Sequence, residues 1–461
     1  MMGLLNFILS VLSYYPKITI IIPKHGFSSD LILILFPKEY YICNINSKSK
    51  NQINMASKIS SKTAIELEDK YGAHNYHPLP VVLAKGEGAL VWDAEGKEYF
   101  DFLSAYSAVN QGHCHPRIIG ALKDQAELLT LTSRAFYNDV LGEYEKYMCE
   151  YFGFDKVLPM NTGAEADETA LKLARKWGYE KKGIPENQAK IIVCANNFHG
   201  RTITIISMST DPDAYKGFGP YTPGFVTVPY NDLDALNKEL EDPYVAAFLV
   251  EPIQGEAGVF VPDEGYLKKA FDACKAKNVL FIADEVQTGI ARTGKLLACD
   301  HENVKPDILI LGKALSGGVL PVSAVLANDD IMLVIKPGEH GSTFGGNPLA
   351  AKVAMAALDV VKDEKLAERA EHLGKIFRDA MRAIDSDMIE LVRGKGLLNA
   401  IIIKPKNGKE AWDVCVKMAE NGVLAKPTHG HIIRFAPPLV ITEEQLAEAI
   451  ERITKSILAF S

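Results

Sequence analysis

Val279-Leu280-Phe281-Ile282-Ala283-Asp284-Glu285 and, further on, Ile308-Leu309-Ile310-Leu311-Gly312-Lys313 both end an apolar run on charged residues. Short apolar runs rich in β-branched residues read as strands buried on both faces. The same rhythm recurs upstream in Lys156-Val157-Leu158, Ile191-Ile192-Val193, Phe225-Val226-Thr227-Val228 and Ala247-Phe248-Leu249-Val250. Most of these runs are separated by segments with helical spacing. Residues 165–179, for example, put Ala170, Leu171, Leu173, Ala174 and Trp177 on one side. Strands alternating with helices predict an α/β fold whose parallel or mostly parallel sheet is covered on both faces.

Outward from this core the pattern changes. Residues 88–102 read as a hairpin, with Ala89-Leu90-Val91-Trp92 and Lys97-Glu98-Tyr99-Phe100 flanking the turn Asp93-Ala94-Glu95-Gly96. After Pro348 the chain reads as mainly helical, through 350–361 and 366–384, then short strands near 397–403 and 432–435 and a last helix from Glu443. The expected organisation is a large domain over 108–347 and a smaller α+β domain over 348–461. Residues 55–107, with the hairpin, are expected to join the smaller domain.

Residues 1–54 differ in kind. They hold five Lys, two acids and no Arg, a net of +3, whereas the rest carries 45 bases against 56 acids, a net of -11. Their apolar stretches are shorter than a spanning helix. They lack both the basic start of a secretory signal and the Arg content of a mitochondrial presequence. The expectation is an extension upstream of a working start at Met55. Over the whole chain, 48% hydrophobic and 23% charged residues suit a globular protein, and the net charge of -8 gives no general attraction to nucleic acid or anionic membrane. Seven scattered cysteines without a CxxC suit a reducing compartment. His113-Cys114-His115 has no second ligand cluster and reads as a turn, so no metal site is expected. Gly289 to Lys295 has P-loop spacing, but Leu296 stands where Ser or Thr must hold magnesium, which disfavours nucleotide binding.

Polar residues follow five of the strand runs at once: Asn161-Thr162-Gly163, Phe198-His199-Gly200-Arg201, Glu251, Asp284-Glu285 and Gly312-Lys313. In an open α/β sheet the carboxyl ends of the strands border the ligand crevice. A lysine carried there from a buried strand has its amine pKa lowered by desolvation and becomes a nucleophile towards carbonyls. A carboxylate in the position of Asp284 keeps a pyridine nitrogen protonated. Asp284 and Lys313 are thus the pair that pyridoxal chemistry requires. Either residue alone would read as a solvated strand end. Asn161-Thr162-Gly163-Ala164-Glu165-Ala166 opens a helix whose N–H groups and dipole suit a phosphate, and Ser342-Thr343 offers further hydroxyl contacts. Phe198 is placed to cover a ring face.

Several stretches resemble the fold-type I, class III aminotransferases: Tyr71-Gly72-Ala73-His74-Asn75-Tyr76, Phe102-Leu103-Ser104-Ala105-Tyr106-Ser107, Glu251-Pro252-Ile253-Gln254-Gly255-Glu256, Asp284-Glu285-Val286-Gln287-Thr288-Gly289 and Leu311-Gly312-Lys313-Ala314-Leu315-Ser316-Gly317-Gly318. The likeness runs from about residue 71 to the C-terminus. It implies a seven-stranded, mostly parallel sheet and pyridoxal 5'-phosphate as cofactor, held covalently by Lys313, which also shuttles the proton. It implies Asp284 on the pyridine nitrogen, Gln287 on the ring hydroxyl, Phe198 stacked on the ring, and Gly163 and Ala164 on the phosphate. Ser342 and Thr343 would join them from the partner subunit of a homodimer. Tyr76 and Arg201 would grip the α-amino acid end of ornithine, and Tyr106 would shape the pocket. Family members often carry Trp where this chain has His199, which puts the local packing in question.

Glu256 and Arg434 complete the expectation. A site that takes ornithine in one half-reaction and 2-oxoglutarate in the next must present different charges in turn. Glu256 would mask Arg434 while ornithine binds by its δ-amine, and would release it to take the oxo acid's α-carboxylate. Without the resemblance, the same two residues read as a structural salt bridge. The implied activity gives glutamate 5-semialdehyde, which cyclises to pyrroline-5-carboxylate, and belongs to arginine and proline metabolism. The alternatives are another ω-aminotransferase acting on acetylornithine, 4-aminobutyrate or lysine, a non-catalytic relative, and an aminomutase. The cytoplasm is the expected location, with the mitochondrial matrix as the alternative.

Overall fold

Val245–Val250 is buried at all six positions, and its side chains alternate between two cores. Ala247 and Leu249 pack with Trp177 and Ile282, whereas Phe248 and Val250 pack with Tyr266 and Phe281. Successive side chains of a strand point to opposite faces, so a run apolar at every position needs cover on both. Fully burying a side chain such as Phe248 contributes on the order of 2–3 kcal/mol. The computed structural model describes residues 59–461 and, before them, three short strands.

The sheet has seven strands in the order Lys156–Met160, Ser323–Ala327, Ile308–Leu311, Leu280–Asp284, Val245–Val250, Lys190–Cys194 and Phe225–Val228. All are parallel except Ser323–Ala327, which runs antiparallel to both neighbours. The α/β architecture with a mostly parallel seven-stranded sheet is therefore as expected. Ser323–Ala327 was not among the runs picked out by their apolar rhythm, since Ser323 and two alanines weaken its pattern.

The helix Gly163–Trp177 covers one face and buries Ala170, Leu171, Leu173, Ala174 and Trp177, the stripe read from the sequence. The hairpin pairs Leu90–Asp93 with Glu98–Asp101, and Glu98–Asp101 also pairs in parallel with Val423–Leu424 from the far end of the chain. Helices Pro348–Asp363, Leu366–Arg382 and Glu443–Leu458 form as expected, and Leu398–Ile403 pairs with Ile432–Phe435. Strand Ile389–Lys395 and helix Ala411–Glu420 were not anticipated.

Residues 1–58 form a unit of their own, in which Thr19–Ile21, Leu31–Phe36 and Glu39–Asn44 make an antiparallel sheet. The expectation of a start at Met55 lies outside the described residues. The six cysteines among the described residues are free. None of the described helices is long and apolar enough to cross a membrane. The His113 and His115 rings are taken by carboxylates, Asp101 Oδ2 at 2.8 Å and Glu364 Oε1 at 2.9 Å.

Candidate active site

Residues from all five polar strand ends line one cavity of about 160 Å³, with Gly163, Ala164, Asp167, Phe198, His199, Glu251, Asp284, Gln287 and Lys313 among its walls. Asp284 is the last residue of its strand, and Lys313 lies two residues beyond the end of the neighbouring one. Lys313 has a φ of 40°, a left-handed conformation that costs a side-chain-bearing residue on the order of 1–3 kcal/mol. Burial lowers the Lys313 amine pKa, as does the charge of Arg434, against the opposing pull of Asp284. The result is an amine with a larger neutral fraction than an exposed lysine.

Asp284 Oδ1 accepts from the Val286 N–H at 2.9 Å, and Oδ2 lies 2.7 Å from His199 Nδ1. The His199 ring, whose local packing the sequence left in question, is thus hydrogen-bonded to the Asp284 carboxylate. The pattern of the sequence gave no sign of this contact. Burial opposes a charged His199, but its hydrogen bond to Asp284 and the charges of Asp284 and Glu251 outweigh it and raise its pKa. Burial pushes Glu251 up to about 7. The Glu251 carboxylate accepts from the Phe198 N–H at 3.0 Å and so fixes the segment that carries Phe198.

A capping box starts the helix at Gly163. Thr162 Oγ1 accepts from Glu165 N at 3.2 Å, and Glu165 Oε2 accepts from Thr162 N at 3.1 Å. These bonds leave the Gly163 and Ala164 N–H groups to the cavity side, at the positive end of the helix dipole. A Cβ on Gly163 would lie 3.0 Å from Val286 Cγ1, so glycine is what keeps this approach open. Anion-accepting N–H groups, an apolar wall of Phe198 and Val286, a buried carboxylate and a buried amine fit a flat, phosphate-bearing heterocycle with a carbonyl.

A second cavity, of about 600 Å³, shares Phe198, Gln287 and Lys313 and adds Tyr76, Tyr106, Arg201 and Glu256. Tyr106 sits in a left-handed turn in which Ser104, Ala105, Tyr106 and Ser107 all have positive φ. Asp101 Oδ1 ties this turn down, accepting from Leu103 N at 2.8 Å and Ser104 N at 2.9 Å. Arg434 lies in neither lining, but its guanidinium is 5.0 Å from the Tyr106 ring centroid and its Nη1 is 2.8 Å from Glu256 Oε2. Nη1 also reaches the Gly255 carbonyl at 3.1 Å and Gln287 Oε1 at 3.5 Å.

The structure therefore brings together eleven of the thirteen residues expected at the site. Ser342 and Thr343 line neither cavity, and Ser342 Oγ accepts from Asn161 Nδ2 at 2.8 Å. Asp167 is a lining residue that sequence reasoning missed. Its only signal was a charge on the buried stripe of the helix that starts at Gly163.

Residues 71–457 match the model of the family described as aminotransferase class-III. An ornithine aminotransferase of Drosophila melanogaster, named as mitochondrial, is 66% identical over 392 residues, covering 85% of this chain and 90% of that protein. The corresponding Rattus norvegicus protein is 63% identical over 401 residues, covering 87% and 91%. A solved structure of the ornithine aminotransferase from Toxoplasma gondii, described as having partial occupancy of PLP at its active site, superposes with a TM-score of 0.86. It is 57% identical and covers 87% of this chain and 95% of that one. A structure described as acetylornithine aminotransferase from Elizabethkingia anophelis is 64% identical, with a TM-score of 0.80 and coverage of 87% and 100%.

Proposed function

This chain belongs to the class III aminotransferases, and from that premise we propose that it transfers the δ-amino group of L-ornithine to 2-oxoglutarate. The products are glutamate 5-semialdehyde, which closes to pyrroline-5-carboxylate, and glutamate. The observation that carries this reading is Lys313 and Asp284 lining one buried cavity beside a helix N-terminus, with the Glu256–Arg434 pair at the next.

Pyridoxal 5'-phosphate, when bound, supplies an electron-withdrawing ring that stabilises negative charge on the carbon next to the transferred nitrogen. Gly163 and Ala164 would hold its phosphate, Phe198 its ring face, Gln287 its hydroxyl, Asp284 its ring nitrogen, and Lys313 its carbonyl carbon. Lys313 Nζ would be the group that takes up and returns the proton moved in the reaction. Its pKa, lowered by burial, leaves a larger share of the amine neutral and able to take up a proton. Tyr76 and Arg201 bind the α-amino and α-carboxylate end of ornithine, so that the distal amine faces Lys313. The left-handed turn holds Tyr106 at the wall of this cavity, its ring 5.0 Å from the Arg434 guanidinium.

Arg434 carries the dual specificity. With Glu256 against it, Arg434 offers no free charge to a carboxylate, and ornithine binds with its δ-amine towards Lys313. With Glu256 turned away, Arg434 takes the carboxylate next to the oxo group of 2-oxoglutarate.

A second reading, acetylornithine as the amino donor, is favoured by the 64% identity to the Elizabethkingia anophelis structure. Purified protein with 2-oxoglutarate and either donor, with the glutamate formed in both reactions measured, separates the two. A higher kcat/KM for N-acetylornithine than for ornithine would overturn the first reading.

The active form is read as a homodimer. Phe136, Tyr137 and Phe344 are widely exposed, and Tyr76 lines the second cavity while 74% exposed, which supports a missing protein wall. Ser342 and Thr343 would then complete the phosphate site of the partner subunit. Residues 55–107 and 348–461 are read together as the smaller domain around the larger 108–347, which the pairing of Glu98–Asp101 with Val423–Leu424 supports. For location, the Arg-free character of residues 1–54 supports the cytoplasm, and relatives named as mitochondrial support the matrix. Imaging of the tagged full-length chain decides between them.

A further inference from the structure

Three acids and two bases meet in the smaller cavity: Asp167, Glu251 and Asp284 with His199 and Lys313. Asp167 is 1% exposed, His199 and Asp284 4% each, and Glu251 6%. If all five were ionised, a net negative charge would be enclosed in a low-dielectric space. Burial of an unbalanced charge is relieved by protonating one acid.

Hydrogen bonds decide which acid that is. A carboxylate is stabilised by the donors that reach it. Asp284 accepts from Val286 N at 2.9 Å and from His199 Nδ1 at 2.7 Å, and Glu251 accepts from Phe198 N at 3.0 Å. Asp167 Oδ1 is buried and has no hydrogen-bond partner among the described residues. It lies 3.7 Å from His199 Nδ1, and the nearest polar atoms of Asp167, His199 and Asp284 fall within 4.8 Å of one another. Asp167 is carried on the helix that starts at Gly163, one turn further along, and so faces the same cavity as the helix N-terminus.

We propose that Asp167 is a positioning residue for the transamination reaction, remaining the neutral acid of this cluster so that His199 and Asp284 stay paired and Asp284 faces the cofactor ring as an anion. The inference rests on the cofactor reading given above. The groups that bear on Asp167 are Asp284, Glu251 and Glu168, which with burial raise its pKa well above the usual carboxylate range, and Lys313, which opposes them. Two carboxyl groups within 4.8 Å of each other in a buried site disfavour double ionisation.

The test is isotope-edited infrared spectroscopy of the cofactor-free protein at about pH 9, where carboxyls titrating near neutrality have ionised. The expected result is a carbonyl stretch of a neutral carboxylic acid that moves when aspartate carboxyls are ¹³C-labelled and vanishes in Asp167→Asn. Absence of such a band, or its survival in Asp167→Asn, would overturn the proposal. The label shift excludes Glu251 as the source, and survival of the band in Asp284→Asn would exclude Asp284, so the test stays decisive if Asp167→Asn fails to fold; loss of the band in Asp284→Asn alone would overturn the proposal. In the loaded enzyme, Asp167→Asn should move the alkaline limb of the kcat/KM profile to higher pH, because no acid remains there to ionise against Asp284. An unmoved limb would overturn the positioning role. The infrared result needs neither substrate nor cofactor, so it stands apart from any failure of the ornithine reading.

Discussion

Arg434 Nη1 reaches back 178 residues along the chain to lie 2.8 Å from Glu256 Oε2, with the Arg434 side chain 5% exposed and that of Glu256 31% exposed. A pair with one partner buried and the other at the cavity wall can open without stranding both charges in the interior. Arg434 Nη1 also donates to the Gly255 carbonyl at 3.1 Å, a contact that does not involve the Glu256 side chain.

Replacing Glu256 with Ala should therefore leave Arg434 permanently available to α-carboxylates. The kcat/KM for α-amine donors relative to ornithine is expected to rise about tenfold, equivalent to ~1.4 kcal/mol. Initial rates across a donor panel measure it, and unchanged selectivity in Glu256→Ala would reduce the pair to a structural salt bridge.

On the reading proposed for Lys313, Lys313→Ala would remove both the covalent hold and the proton carrier. Turnover is expected to fall by at least ~10²–10⁴-fold, the usual contribution of a positioned acid–base group. Borohydride followed by intact-mass measurement should fix cofactor to the unsubstituted chain and leave the variant unmodified. Cofactor fixed to the variant would put the covalent attachment on another lysine.

Much of this site was legible in the sequence because strand ends announce themselves. Asp284 and Lys313 each stand just beyond an uninterrupted apolar run, and a parallel sheet places such ends along one edge. Arg434 was not legible in that way. Its neighbours Ile433 and Phe435 read as core, and only the resemblance gave its pairing with a glutamate so far upstream a part in substrate binding. The contact of His199 with Asp284 and the place of Asp167 depend on side-chain direction within a buried cluster, which hydrophobic periodicity does not encode. Ser323–Ala327 escaped notice because small residues suffice between Leu309 and Leu311 on one side and Leu158 on the other.

Gly255 is close-packed against the second cavity. A Cβ there would fall 1.7 Å from Gln287 Oε1, so Gly255→Ala must drive the Gln287 side chain away from Arg434 and the ring site. Cofactor affinity is expected to weaken about tenfold, with melting temperature changed by only a few degrees. Equilibrium dialysis with absorbance readout gives the affinity. Unaltered affinity would show that Gln287 does not contact the ring.

Glu285 offers a pH prediction separate from the chemistry. It is fully buried, accepts from Cys299 N at 2.8 Å and from the Thr288 hydroxyl, and burial raises its pKa to about 7. In the unfolded chain it titrates near ~4.3, so between these two values the folded protein holds a proton that the unfolded chain has lost. Stability is therefore fullest below the lower value and declines as pH rises through the window, by at most ~1.4 kcal/mol per pH unit from this residue. Glu251, also pushed up to about 7, adds a decline of the same sign. Glu285→Gln cannot ionise, so urea midpoints of the variant should fall less steeply between pH 5 and about pH 7 than those of the unsubstituted protein. Parallel curves would mean that Glu285 is already ionised in the folded protein at pH 5, its charge satisfied by Thr288 and Cys299.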